Sequence, residues 1–295
     1  MKHHALQFSL FTAYMLVMTA LMIWQGVGIT PDRYALVLIL GTLFVKKTRK
    51  FLLDWIPFIF LLISYDFLRS LTPKLNFRVH YIESFHFDQS VFGQAPTITL
   101  QNWLYHAGTL HWYDYGTTMF YFLHFALILI FGFMLWFKNL AQFRQYVLGL
   151  LLLSYTAWFT YIVFPSAPPW LASADGYIPN VNHILASTLQ TFPERLHIPT
   201  IYQSFDPNQV AAIPSLHAAY PTMVLLFAWD FFGFKASFFL LYVLGACFSL
   251  VYLGEHYVID ILIGIGYAVA FFFLAKLLSH HKEILGKLSL PFRRN

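Results

Sequence analysis

Two histidines and an aspartate have the types and spacing for phosphorus chemistry. His256 and Asp260 stand four apart in Gly254-Glu-His256-Tyr-Val-Ile-Asp260-Ile-Leu-Ile-Gly264. On a helix that spacing puts both on one face, one turn from each other. A carboxylate placed there accepts a hydrogen bond from one ring nitrogen, fixes the tautomer and leaves the other nitrogen free to attack. It also steadies the positive charge of a protonated or phosphorylated imidazole. His217 follows Ile213-Pro214-Ser215-Leu216. Pro214 and Ser215 mark a helix start with Ser215 as the N-cap. Helix starts attract phosphate through unpaired N–H groups and the helix dipole. A histidine in that first turn can pass a proton to a leaving oxygen. With one histidine as nucleophile and the other as general acid, phosphoryl transfer needs neither metal nor soluble cofactor.

The elements that must position these residues are apolar. The 295 residues are 59% hydrophobic and only 11% charged, with a mean hydropathy of +0.61. A soluble domain is about a quarter charged, and 13 acids with 18 bases cannot clothe a chain of this size in water. About 20 apolar residues cross a bilayer as a helix. Segments near 7–27, 33–46, 51–70, 117–137, 145–164, 215–233, 236–253 and 257–278 predict an all-α, multi-pass transmembrane helix bundle of about eight spans. The first stretch, from about Phe8 to Val27, is longer than a signal-peptide core and reads as a retained anchor. The expected organisation is one membrane domain over 1–295, with N-terminal spans in 1–70 and a catalytic core in 71–280. Gly264 and Gly266 are expected to let the last span pack closely.

The basic residues orient the bundle. With both termini cytoplasmic, the inner set is Lys2, Lys46, Lys47, Arg49, Lys50, Lys138, Arg144, Lys235, Lys276, Lys282, Lys287, Arg293 and Arg294. The outer set is Arg33, Arg69, Lys74, Arg78 and Arg195. That is the positive-inside bias. The net charge of +5 is met by the anionic inner leaflet and calls for no nucleic acid. Two long connections, 71–116 and 165–214, then lie outside. Their aromatic residues, among them Trp103, Trp112 and Trp170, fit interfacial helices. Both histidine motifs fall at this outer face, at the ends of neighbouring helices.

The run Pro214-Ser-Leu-His217 resembles the second signature of the type 2 phosphatidic acid phosphatase superfamily, usually PSGH. Ser249-Leu-Val-Tyr-Leu-Gly-Glu-His256-x-x-x-Asp260 resembles its third, usually SRxxxxxHxxxD. The match is most like the inositol phosphorylceramide synthase (aureobasidin A resistance) branch. That branch typically has P-S-L-H-A and H-Y-x-x-D, a Pro-rich run like Phe164-Pro-Ser-Ala-Pro-Pro-Trp170, and a pattern like Tyr121-x-x-His124-Phe. The resemblance covers about residues 85–270. It implies a six-helix phosphatase-type core, with His256 as the nucleophile that forms a phosphohistidine. Asp260 would orient it, and His217 would be the general acid and later base. Leu250 stands where the phosphatases carry arginine, and their KxxxxxxRP signature is absent, as in the synthase branch. The phosphate ligands are then sought among Ser215, Tyr121, His124 and Arg195, with Pro168 and Trp170 as further substrate-binding candidates.

The leading expectation is a membrane lipid phosphotransferase in sphingolipid-type lipid metabolism, acting on a phospholipid donor and a lipid or alcohol acceptor. A phosphatase acting on phosphatidate, phosphatidylglycerophosphate or an isoprenyl phosphate is the alternative with the same chemistry. A proton-coupled transporter is the alternative from another class. It would require polar residues through several spans, and these spans are nearly free of charge away from their outer ends.

Overall fold

The computed structural model describes residues 49–72, 75, 78–193, 202 and 208–288, with isolated helical positions between 13 and 24. The expected spans at 7–27 and 33–46, and Arg195, lie outside the described residues or almost wholly so. The chain divides into two compact units, Met1–Ser70 with Leu189–Pro207, and Leu71–Thr188 with Asn208–Asn295. The first unit holds nearly all of α1 (Arg49–Leu71), in which the buried Trp55 and Phe58 rings meet edge to face at 5.8 Å.

The second unit contains α2 (Glu83–Phe92), α3 (Pro96–Leu104), α4 (Trp112–Lys138), α5 (Leu140–Val163) and α6 (Pro169–Ala174). It continues with most of α7 (Ile184–Gln190), then α8 (Leu216–Phe232), α9 (Ser237–Tyr252) and α10 (Val258–Leu288). The architecture is all-helical. Among the described residues, four helical stretches are long and apolar enough to cross a membrane: Trp112–Lys138, Leu140–Val163, Leu216–Tyr252 and Val258–His280. The 37-residue third stretch is two helices, α8 and α9, packed on each other. Between them lies a 3-10 turn over Gly233–Ala236.

α8 is the central helix of this unit and packs against α4, α5, α9 and α10. Outward-facing positions are apolar as well: Phe159, Phe238, Leu241 and Phe273 are all more than half exposed. Such a surface calls for lipid and marks an integral membrane protein. Lipid gives helices little hydrophobic reason to associate, so close packing and internal polar contacts must hold them. Tyr146 Oη donates to the Ile128 carbonyl, and Ser154 Oγ shares a proton with Tyr220 Oη at 2.8 Å. Bonds of this kind contribute only about 0.6 kcal/mol each, so the fully buried Tyr146, Leu153, Met223 and Phe227 carry the bundle chiefly by shape.

The described parts of the two long connections are tied together by backbone contacts. Three chain segments are zipped together by isolated bridges, His80 to Ser166 and Ser166 to Ala211. The Pro-rich run therefore anchors both loops, and it also fixes the approach to Ile213-Pro214-Ser215. Above it, Phe85 of α2, Ile98 of α3, Ala172 of α6 and Tyr257 share a small apolar core.

Candidate active site

His217 occupies the first turn of α8, and α4 shapes its surroundings. The Tyr121 ring stacks on it at 4.3 Å, and His124 meets it edge-on at 4.4 Å. His124 is buried and its Nδ1 lies 2.5 Å from the Tyr121 carbonyl. Pro221 lacks the N–H that would bond the His217 carbonyl one turn earlier, which eases the helix where the histidine sits.

His256 sits in the turn between α9 and α10, two residues before the helix begins. Gly254 makes this turn possible: its φ is +83°, and a Cβ there would stand 2.9 Å from the Asn182 carbonyl. The Leu250 carbonyl accepts both the Glu255 and the His256 N–H, which folds the chain back on α9. His256 Nε2 thereby comes to 3.4 Å from His217 Nδ1. The two motifs, 39 residues apart in sequence, meet ring to ring.

Asp260 is placed differently from the one-face, one-turn expectation. His256 is not on the helix, and its Nδ1 lies 3.6 Å from Asp260 Oδ2, an ion-pair distance with no hydrogen bond. The carboxylate is already engaged. Oδ2 accepts the Tyr257 N–H at 2.9 Å and Oδ1 accepts the Ser84 hydroxyl at 3.0 Å. Asp260 thus caps its own helix from the third position while facing the histidine, a division of labour that spacing alone does not reveal.

Ser215 is the residue before α8, but its side chain makes no cap bond. The hydroxyl is fully buried and has no partner. Its backbone N–H instead donates to the Asp260 carbonyl at 3.1 Å. Gly264 permits this contact, because a Cβ on it would come within 2.3 Å of the Ser215 carbonyl oxygen. Gly266, expected to act in the same way, faces open space.

The remaining candidates separate. Tyr121 and His124 touch His217, as described. Trp170 reaches the turn behind His256: its backbone N–H donates to the Gly254 carbonyl, and its ring stacks on His183 at 4.2 Å. His183 Nε2 in turn lies 2.8 Å from Glu255 Oε1. Pro168 is the buried cap position of α6 and belongs to the zipped loop scaffold.

Sequence reasoning missed Ser84 and Asp88. Asp88 is fully buried, and its two oxygens accept the N–H groups of Val258 and Ile259 at the start of α10. Burial pushes its carboxyl up to about 6 against the pull of those two bonds, and the nearby Asp260 adds to the rise. The available signal was the four-residue spacing of Ser84 and Asp88 in a loop segment, which reads as ordinary surface polarity until a partner is known.

The arrangement is a pair of facing imidazoles, one backed by a buried carboxylate, beside a helix start with a spare hydroxyl. The profile of the PAP2 superfamily matches residues 84–274, and the chain belongs to that superfamily. It is an enzyme of that class, a phosphotransferase or phosphatase. Over 238 residues it is 29% identical to the phosphoinositol dihydroceramide synthase of Bacteroides thetaiotaomicron, an alignment covering 75% of each chain. No solved structure matches it.

Proposed function

We propose that this protein is a lipid phosphotransferase that moves a phosphoinositol-type headgroup from a phospholipid to the hydroxyl of a ceramide-like lipid through a phosphohistidine on His256. The observation that carries this reading is the 3.4 Å approach of His256 Nε2 to His217 Nδ1. It supports the nucleophile and the proton carrier acting at one phosphorus, which must part the two rings to enter. The relative's name supplies the headgroup and the acceptor class.

In the first half-reaction His256 Nε2 bonds to phosphorus, the bond to the glycerol oxygen breaks, and His217 delivers a proton to that oxygen, releasing diacylglycerol. In the second, the acceptor hydroxyl gives its proton to His217 and bonds to phosphorus as the P–N bond breaks. Asp260 stabilises the imidazolium-like charge on His256. The orphaned Ser215 hydroxyl and the N-terminus of α8 receive the phosphoryl oxygens, with His124 and Tyr121 behind His217. Leu250, in the place of an arginine, favours a diester monoanion over a monoester dianion, because less positive charge is available.

The site belongs on the extracytoplasmic face. Lys138, Arg144, Lys235 and Lys276 cluster at the far ends of the helices that carry it, and Trp103 and Trp112, 73% and 82% exposed, stand at the near end. The short helices α2, α3 and α6 then lie at the lipid–water boundary. The test is a substrate panel on purified protein. Phosphatidylinositol with a ceramide acceptor should release diacylglycerol and form the headgroup-bearing sphingolipid. Rapid phosphate release from phosphatidate, with no transfer from the diester, would overturn the proposal.

A further inference from the structure

We propose that Ser84 and Asp88 are positioning residues for the reaction, fixing from the outer helix α2 the carboxylate of Asp260 and the start of the helix that bears it. The proposal rests on the functional reading above, in which Asp260 supports His256.

Ser84 and Asp88 lie four apart, on one face of α2. Both are buried, while His86 on the opposite side is exposed. The Ser84 hydroxyl donates to Asp260 Oδ1 across 176 residues of sequence. Asp88 accepts from the Val258 and Ile259 N–H groups at 2.8 and 3.2 Å, and Asp260 itself accepts from Tyr257 N–H. Three successive N–H groups at the start of α10 are thus divided between two buried carboxylates, one from each helix. Burial chiefly, and the nearby Asp260 to a smaller degree, raises the Asp88 carboxyl.

This arrangement has a geometric consequence for His256. Its Nδ1 stands 3.6 Å from Asp260 Oδ2, whereas the Ser84 hydroxyl and the Tyr257 N–H bond the carboxylate at 3.0 and 2.9 Å and so set its orientation more tightly. Removing the Ser84 bond frees the carboxylate to turn about its own axis, and removing the Asp88 bonds lets the helix start shift against the histidine turn. Either change alters how Asp260 faces His256 without touching a substrate-contacting group.

The experiment measures headgroup transfer by the full-length purified protein carrying Ser84→Ala, Ser84→Thr, Asp88→Asn or Asp260→Asn, with folding checked by monodispersity in detergent. Ser84→Ala should lower kcat about ten- to a hundredfold and leave KM within about twofold, as expected for lost orientation rather than lost binding. Ser84→Thr, which keeps the hydroxyl, should restore most of the loss, and Asp88→Asn should lower kcat at least as far. Adding Ser84→Ala to Asp260→Asn should cost nothing further, since the serine acts through that carboxylate. Wild-type kcat in Ser84→Ala, a KM effect alone, or full additivity of the pair overturns the proposal. If Asp88→Asn does not fold, the two Ser84 variants decide the outcome. Full turnover in Asp260→Asn would instead bring down the reading of the site itself, which separates the two failures.

Discussion

The two ends of the bundle handle their acids in opposite ways. Away from the histidines, Asp230 in the last turn of α8 pairs with Lys276 at 2.5 Å and accepts from Gln142 at 2.8 Å, with both charged side chains about one third exposed. At the histidine end, Asp88 and Asp260 are fully buried and are held by backbone N–H groups and a serine. A half-solvated lysine pair is worth about 0–1 kcal/mol, whereas hydrogen bonds to a buried charge are worth about 1.5–3 kcal/mol each. The first arrangement is a clasp between helices. The second sets the orientation of a carboxylate that faces an imidazole.

The contrast can be broken or sharpened at five positions. His256→Ala should lower transfer by at least about a thousandfold while protein level and membrane insertion persist, as read from labelled headgroup transfer. Activity near wild type would end the nucleophile assignment. His217→Ala should cost about a hundred- to ten-thousandfold. In rapid-quench experiments it should still form an acid-labile, base-stable label on the protein. Ser215→Ala should lose about tenfold in kcat/KM yet melt at a higher temperature in the absence of substrate. A buried, unpartnered hydroxyl costs about 1–3 kcal/mol, so loss of activity without that gain would mean the hydroxyl is already satisfied.

Asp88 tests the histidine end through pH. Its folded carboxyl is raised from 3.8 to about 6, so its protonated form contributes stability fully below 3.8, and that contribution is lost as the pH rises through about 6. Asp88→Asn cannot titrate. Its melting temperature should therefore gain on the wild type as the pH climbs through that window, and parallel melting curves would contradict the shift. The smallest effect belongs to the far end. Lys276→Met should change stability by less than about 1 kcal/mol and leave turnover unaltered.

Much of this contrast was invisible in the sequence, and the reasons differ by residue. The helices were legible because apolar runs of about 20 residues have few other uses, and each expected span from 117 onward coincides with a helix. His217 and His256 were legible because histidines at span mouths are conspicuous. The bonds of Asp260 were not. Period-based reasoning placed His256 on the helix, whereas Gly254 turns the chain and leaves it just outside. Ser84 and Asp88 could not be found at all, because contacts spanning 176 and 170 residues leave no local pattern. Trp170 was singled out as a substrate contact, and what the sequence did not reveal is that its backbone N–H bonds the Gly254 carbonyl while its ring stacks on His183.

Gly264 has a consequence of a different kind. A single missing methyl lets the Ser215 carbonyl rest against α10, and Ser215 is two residues from His217. The obstacle to any larger residue is backbone, which cannot swing aside as a side chain can. A graded series at this position, Ala then Ser then Val, would therefore act as a set of shims, pushing one histidine away from the other by steps while leaving every reacting group chemically intact. Plotted against the rate of transfer, such a series would make the gap between the two imidazoles an adjustable dimension of the enzyme.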